Sequence, residues 1–170
     1  LGDVYKRQII RKPFFCSGCP HNSSLKVPEG KRALGGIGCH YMAVDSIEST
    51  EFFTQMGGEG TPWIGIAPFS HEKHVFANLG DGTYKHSGIL AIRASLDANV
   101  NITYKILYND AVAMTGGQEI GSNWDVEGIV KQVLAEGVKK VSILSEDPKR
   151  YNHLVKNGVK SLHRDAIITE

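Results

Sequence analysis

A polyphosphate and its divalent cation need hard oxygen ligands and a backbone that can come close. The sequence offers both in Gly80-Asp81-Gly82, followed by Asn109 and then by Thr115-Gly116-Gly117-Gln118. Magnesium takes six oxygens in an octahedron, usually few of them from protein. Asp81 can give a carboxylate, Asn109 an amide oxygen and Ala111 a backbone carbonyl. Gly80 and Gly82 admit phosphate without a Cβ in the way. A helix beginning just after Thr83 points its N-terminus at the same anion. Asp110 is a rival ligand beside Asn109. Gly-Asp-Gly alone is equally the composition of a plain turn, so its meaning depends on the elements around it.

A second group consists of Cys16, Cys19 and Cys39, the only cysteines of the chain. An odd count spaced as Cys-x-x-Cys plus one is not a disulfide framework and suits an incomplete metal site in a reducing compartment. With His21 and His40 adjacent, the spacing serves an iron–sulfur cluster and a Cys3His zinc site equally well. The other histidines, His71, His74, His86, His153 and His163, have no ligand spacing and read as surface or packing groups. Trp63, Trp124 and the phenylalanines read as core or interface.

The elements that must hold these residues follow from periodicity. Residues 9–33, with three prolines, read as loop. Gly57-Gly58-Glu59-Gly60 opens either a helix packed on the sheet or a loop near the ligand. Val75–Leu79 is a short buried strand ending at Gly80, residues 85–98 a helix, and Ile102–Tyr108 the next strand. Residues 109–118 read as a glycine-containing loop and 125–136 as an amphipathic helix with Asp125 as N-cap and Gly137 as stop. Val141–Leu144 is a third strand, and 149–157 a helix closed by Gly158. This strand–helix alternation predicts an α/β fold, a mostly parallel sheet with helices on both faces. Ligands of such sheets bind beyond the carboxyl ends of the strands, where both glycine loops fall.

At 170 residues with 41% hydrophobic content, the chain can bury one sizeable core. A net charge of +1 with no like-charge run excludes a strong draw to nucleic acid or an anionic membrane. No stretch has the length and apolarity of a membrane span, and the expected location is cytoplasmic.

Gly80-Asp81-Gly82 followed by Asn109 resembles the thiamine diphosphate signature, and Met114-Thr115-Gly116-Gly117-Gln118 resembles the 2-oxoacid:ferredoxin oxidoreductases. Further stretches carry the likeness: Phe15-Cys16-Ser17-Gly18-Cys19-Pro20-His21-Asn22, Gly36-Ile37-Gly38-Cys39-His40-Tyr41-Met42 and Gln55-Met56-Gly57-Gly58-Glu59-Gly60. Within that family the likeness is strongest to the indolepyruvate-oxidising branch. The resemblance implies Mg2+ on Asp81, Asn109 and the Ala111 carbonyl. It places Gly80, Gly82, Thr83, Asp110, Val112, Ala113 and Met114 around the diphosphate, with His21 and Cys39 close to the cofactor. It also implies a 4Fe–4S cluster on Cys16, Cys19 and Cys39 with a fourth cysteine elsewhere, which tilts the metal question toward iron. The implied reaction is oxidative decarboxylation of an aryl 2-oxoacid, with electrons leaving to ferredoxin and the acyl group to coenzyme A. The glutamate that contacts the aminopyrimidine ring in such enzymes is carried on a separate domain, and no residue here is assigned to it. The implied partners are the remaining domains of the same enzyme and further copies in a homo-oligomer, with no nucleic acid and no membrane. On the thiamine reading without a cluster, the chain is part of a decarboxylase or synthase. On the zinc reading it is a binding module.

Residues 1–8 stand apart. Asp3-Val4-Tyr5-Lys6-Arg7-Gln8 back-translates to GATGTGTATAAGAGACAG, which resembles a transposase end used in sequencing libraries. The expectation is that residues 1–8 are translated adapter and that 9–170 is a thiamine diphosphate domain truncated at both ends. Genomic DNA read across this junction is expected to diverge from the encoded peptide before residue 9.

Overall fold

The computed structural model describes residues 13–47, 49–121 and 125–168. Its main sheet has four parallel strands in the order β2-β1-β3-β4. These are β1 (Ala33–Gly35), β2 (Thr50–Phe53), β3 (Val75–Gly80) and β4 (Ile102–Leu107). β1 and β3 lie side by side, but the chain leaves them in opposite directions, β1 toward β2 and β3 toward β4. That reversal makes a crevice beyond their carboxyl ends, the place where ligands settle in open α/β sheets.

The register explains the two faces. Leu79 pairs with Ile106 and Gly80 with Leu107, so Leu79 and Leu107 project to opposite sides. Leu79 packs with Tyr84, Ile92, Ile129 and Val133. It thereby seats two helices on its face, α4 (Ile89–Asp97) and α5 (Val126–Ala135). Helix α3 (Thr61–Ile66) joins that face through Trp63 against Leu34 and Val75. Leu107 instead meets Leu25 and Ala43, beside α1 (Pro20–Ser24) and within α2 (Ala43–Ser46). β3 is therefore covered on both sides, and its run Val75, Ala77, Asn78, Leu79 is buried.

Local chemistry sets the helix ends. The Asp125 carboxylate accepts the Gly128 N–H at 2.8 Å as the expected N-cap of α5. Gly137 and Gly158 take left-handed φ values of 96° and 78° where glycine was expected to stop a helix.

Several expectations change. The helix after β3 does not wait for Thr83. It begins as an α turn at Asp81–Thr83, passes through a π turn over Tyr84–Gly88 and only then becomes α4. Gly88 allows this, because a Cβ there would lie 2.8 Å from Leu79 Cδ1. Residues 109–118 are not wholly loop: β5 (Ala111–Val112) pairs antiparallel with β6 (Gln118–Glu119). The third strand, β7 (Val141–Ser145), does not extend the main sheet. It pairs in parallel with β8 (Val159–His163), a strand whose alternation of polar residues hid it, and the connection Pro148–Asn157 is 3₁₀ rather than α. Residues 20–24 are helical inside the presumed N-terminal loop. Trp63 is core as expected, Trp124 lies outside the described residues, and Phe69 is 89% exposed, so it is not a core residue of this chain.

One lysine ties the N-terminal segment to the sheet. Lys105 on β4 donates to the carbonyls of Ser24 and Lys26 at 2.8 and 2.9 Å and lies over the Phe76 ring. Burial pulls its ammonium down to about 8 from 10.5. The unfolded chain therefore binds the extra proton above that value, and stability rises with pH in that window. The tyrosines Tyr84 and Tyr104, pushed up from 10.0 to about 12, act in the opposite sense at higher pH. Urea unfolding between pH 8 and 10 is expected to show stability increasing, and Lys105→Met is expected to flatten that rise.

Candidate functional site

Four loops leave the carboxyl edge of the main sheet: residues 36–38 after β1, 54–58 after β2, 81–83 after β3 and 108–110 after β4. Asp81 ties two of them together. Its Oδ2 accepts the backbone N–H of Asn109 at 2.8 Å and of Asp110 at 2.7 Å, and its Oδ1 accepts its neighbour Gly82 N–H at 2.8 Å. The side chain is only 4% exposed. A buried carboxyl is tolerated when N–H donors satisfy its oxygens in this way.

The rest of the clamp follows from that grip. Asn109 Oδ1 accepts the Ala111 N–H at 3.2 Å, and Asp110 is turned into the left-handed region at φ 58°. This bend feeds β5 directly over Gly82, where an added Cβ would lie 3.2 Å from Val112 Cγ2. A side chain at 82 would thus press on Val112 and push the 111–112 strand outward by a few tenths of an ångström. On the other side, the Thr83 hydroxyl reaches the Ile37 carbonyl at 3.5 Å. The structure therefore brings Gly80, Asp81, Gly82, Thr83, Asn109, Asp110, Ala111 and Val112 into one place. Ala113 and Met114 lie on the exposed tip of the β5–β6 hairpin, with Thr115 bonded to Gln118. Lys85 on the π turn donates to the Ile120 carbonyl and holds the far leg of that hairpin.

These residues suit magnesium and diphosphate by the nature of their atoms. A carboxylate offers about four acceptor directions, and the three N–H bonds leave one on Asp81 Oδ1. Asn109 Oδ1 is committed to Ala111 N–H and must share that contact to reach a cation.

His21 lies within electrostatic reach of the clamp. Burial lowers its imidazole, Asp81 counters that, and Arg164 lowers it further. Arg164 itself donates to the Pro20 carbonyl at 2.8 Å and to Ser23 Oγ at 2.6 Å. Cys16 and Cys19 share a turn closed by Cys19 N–H on the Cys16 carbonyl at 3.0 Å. Burial pushes the Cys39 thiol up, and Cys19 and Cys16, both within electrostatic reach of it, add to that. Among the described residues, no three His, Cys, Asp or Glu side chains close into a metal cage. The cysteines are gathered without being drawn together as ligands.

Three buried polar residues lie at this edge; sequence reasoning named His40 only as a possible zinc ligand and gave Asn78 and Glu59 no role of their own. His40 is fully enclosed with Nε2 unpartnered, packed on Gly38 and beside Gly80, and burial with His21 nearby pulls it down to about 4. Asn78, two residues before Gly80, has neither amide atom partnered. Glu59 is buried beside Gly36, and burial raises its carboxyl above the ordinary range against the backbone N–H groups of Glu59, Gly57 and Ile37. No spacing rule marks Asn78 or Glu59, because the neighbours of each come from other segments of the chain. The histidines expected to be bland are so where described: His74 bonds Thr103 at 2.7 Å, and His153 meets Glu127 at 3.2 Å on the surface.

Residues 36–155 match the family model described as the thiamine pyrophosphate enzyme C-terminal TPP binding domain. The chain belongs to that family. Within this TPP-binding domain family it is 27% identical over 150 residues to indolepyruvate oxidoreductase subunit IorA of Thermococcus kodakarensis, covering 76% of this chain and 23% of that protein. It is 31% identical over 133 residues to 2-oxoglutarate synthase subunit KorB of Methanocaldococcus jannaschii, covering 67% of this chain and 46% of that one. The chain thus spans about a quarter of the indolepyruvate relative and less than half of the 2-oxoglutarate one. A solved 2-oxoglutarate:ferredoxin oxidoreductase from Magnetococcus marinus, with 2-oxoglutarate, coenzyme A and succinyl-CoA bound, shares the fold at a TM-score of 0.62 and 20% identity. That likeness covers 92% of this chain and 64% of that one.

Asp81→Ala leaves three backbone N–H groups without their acceptor. It is expected to cost about 3 kcal/mol in urea unfolding. The loss should appear in hydrogen exchange as faster exchange at Asn109 and Asp110 than in the β7–β8 pair.

Proposed function

We propose that this domain holds the diphosphate end of thiamine diphosphate through Mg2+ in a 2-oxoacid:ferredoxin oxidoreductase. The observation that supports this most is the Asp81 bridge from the end of β3 to the end of β4, inside the stretch matched by the TPP-binding family. Asp81, Asn109 and the Ala111 carbonyl are the proposed cation ligands. Gly80, Gly82, Thr83 and the 110–114 segment surround the diphosphate, with Asp110 supplying backbone rather than a side-chain ligand, because its N–H is already turned onto Asp81.

When bound, thiamine supplies a carbanion that adds to a 2-oxo carbon and promotes loss of carbon dioxide. What the chain's own residues do is bind and orient. Asp81 would offset cation charge, Val112 lies close over Gly82, and His21 lies within electrostatic reach of Asp81. We place a 4Fe–4S cluster on Cys16, Cys19 and Cys39, with a fourth ligand from outside the described residues and ferredoxin as the electron acceptor. The Cys-x-x-Cys spacing with Cys39 within electrostatic reach supports this, as does the likeness to ferredoxin-linked enzymes. Coenzyme A takes the acyl group in this reading. The remaining domains complete the active site, in a homo-oligomer located in the cytoplasm. No helix among the described residues is long and apolar enough to cross a membrane.

The indolepyruvate oxidoreductase relatives support an aryl 2-oxoacid as substrate. The 31% identity to a 2-oxoglutarate synthase subunit favours a second reading with a dicarboxylic 2-oxoacid. Turnover of indolepyruvate and of 2-oxoglutarate by the complete enzyme separates the two, and the 170-residue chain alone is expected to oxidise neither.

Calorimetric titration of the chain with thiamine diphosphate is expected to show binding only with Mg2+ present. Asp81→Asn keeps the size of the side chain, removes its charge, and is expected to weaken that binding about 100-fold. Undiminished binding to Asp81→Asn, or binding unaffected by chelation of the metal, would refute the clamp.

A further inference from the structure

Glu59 takes no part in the clamp, yet it is a carboxylate with 0% exposure at the same edge of the sheet. Its Oε2 accepts the Gly57 N–H at 2.7 Å, while Oε1 has no partner. The side chain occupies the notch left by Gly36, where an added Cβ would lie 2.2 Å from Glu59 Cγ and 2.3 Å from Oε1. Its main chain is fixed from β4, since the Tyr104 hydroxyl lies 3.0 Å from the Glu59 carbonyl oxygen and 2.9 Å from Ser95 Oγ. A buried carboxyl with a free oxygen is a costly filler of space, far costlier than an apolar side chain of the same volume. Its contacts, therefore, state what it does: it joins the loop after β2, through Gly57, to the loop after β1, through Gly36.

We propose that Glu59 is a positioning residue of the cofactor cleft, setting the separation between the loops that follow β1 and β2. This rests on the cleft being a thiamine diphosphate site. The two loops it joins present Ile37 and Met56, each 42% exposed, as apolar surfaces for the organic rings of the cofactor. The Asp81 end presents charge and backbone for the diphosphate. Glu59 thus governs the ring end of the cleft and leaves the phosphate end alone.

That division supplies the test. The chain is titrated with magnesium plus thiamine diphosphate and, separately, with magnesium plus inorganic pyrophosphate, which has no rings. Glu59→Ala is expected to weaken thiamine diphosphate binding about tenfold or more and to leave pyrophosphate binding within about threefold. Glu59→Gln retains an acceptor for the Gly57 N–H and is expected to stay within about threefold of the unsubstituted chain for both ligands. If circular dichroism shows Glu59→Ala unfolded, Glu59→Asp takes its place, because it fits the same space, withdraws the carboxyl from Gly57 and should show the same split. Equal weakening for both ligands, no weakening for either, or a Gln variant as poor as Ala would overturn the positioning role. An unsubstituted chain that binds neither ligand would overturn the cofactor reading instead.

Discussion

Asp81 is 4% exposed, and its carboxyl oxygens are met by three backbone N–H groups. Two of them belong to the neighbouring strand's loop, so the bonds that satisfy the buried carboxyl also fix where that loop runs. Everything at the site depends on this exchange. The grip turns Asp110 into a left-handed bend, the bend aims β5, and β5 closes over Gly82. Without Asp81 the sheet would still form, since its core is Leu79 with Tyr84, Ile92, Ile129 and Val133. The loops at its edge would lose their mutual spacing.

The same edge holds a second buried carboxyl, and the two act in a related way. Asp81 joins the loops after β3 and β4, and Glu59 joins those after β1 and β2. The Thr83 hydroxyl on the Ile37 carbonyl spans the gap between them, across the crevice where strand order reverses. A parallel sheet controls its strands by hydrogen bonds but leaves the loops beyond them free. Side chains that reach from one loop to the next are what convert that edge into a shaped cleft.

The cysteine segment is held by different means. Lys105 and Arg164, from β4 and from beyond β8, donate to main-chain carbonyls of α1 and of the residues just after it. Those bonds anchor the segment that follows Cys16 and Cys19 to the rest of the fold. The arrangement fits sulfurs that a metal centre organises on binding, as metal sites coupled to folding do. The carboxyl edge and the cysteine segment meet at His21, which feels both Asp81 and Arg164.

Much of this was legible in the residues themselves. A buried strand ending at glycine, an aspartate beside it and a second strand ending near Asn109 dictate a parallel pair whose loops face one ligand, and strong period signals made β3, β4 and α5 visible. The Gly-Asp-Gly sequence by itself meant no more than a turn. What only the tertiary structure decided is how separate segments complete one another. One oxygen of Asp81 is spent wholly on backbone groups 28 and 29 residues away, and Glu59 needs the absent side chain of Gly36. It also decided that β7 leaves the main sheet to pair with β8, a strand too polar in alternation to announce itself. Periodicity reports which face of one element is buried. It says nothing about which neighbour's N–H or glycine notch will meet a buried polar group, and that matching exists only once the chain has folded.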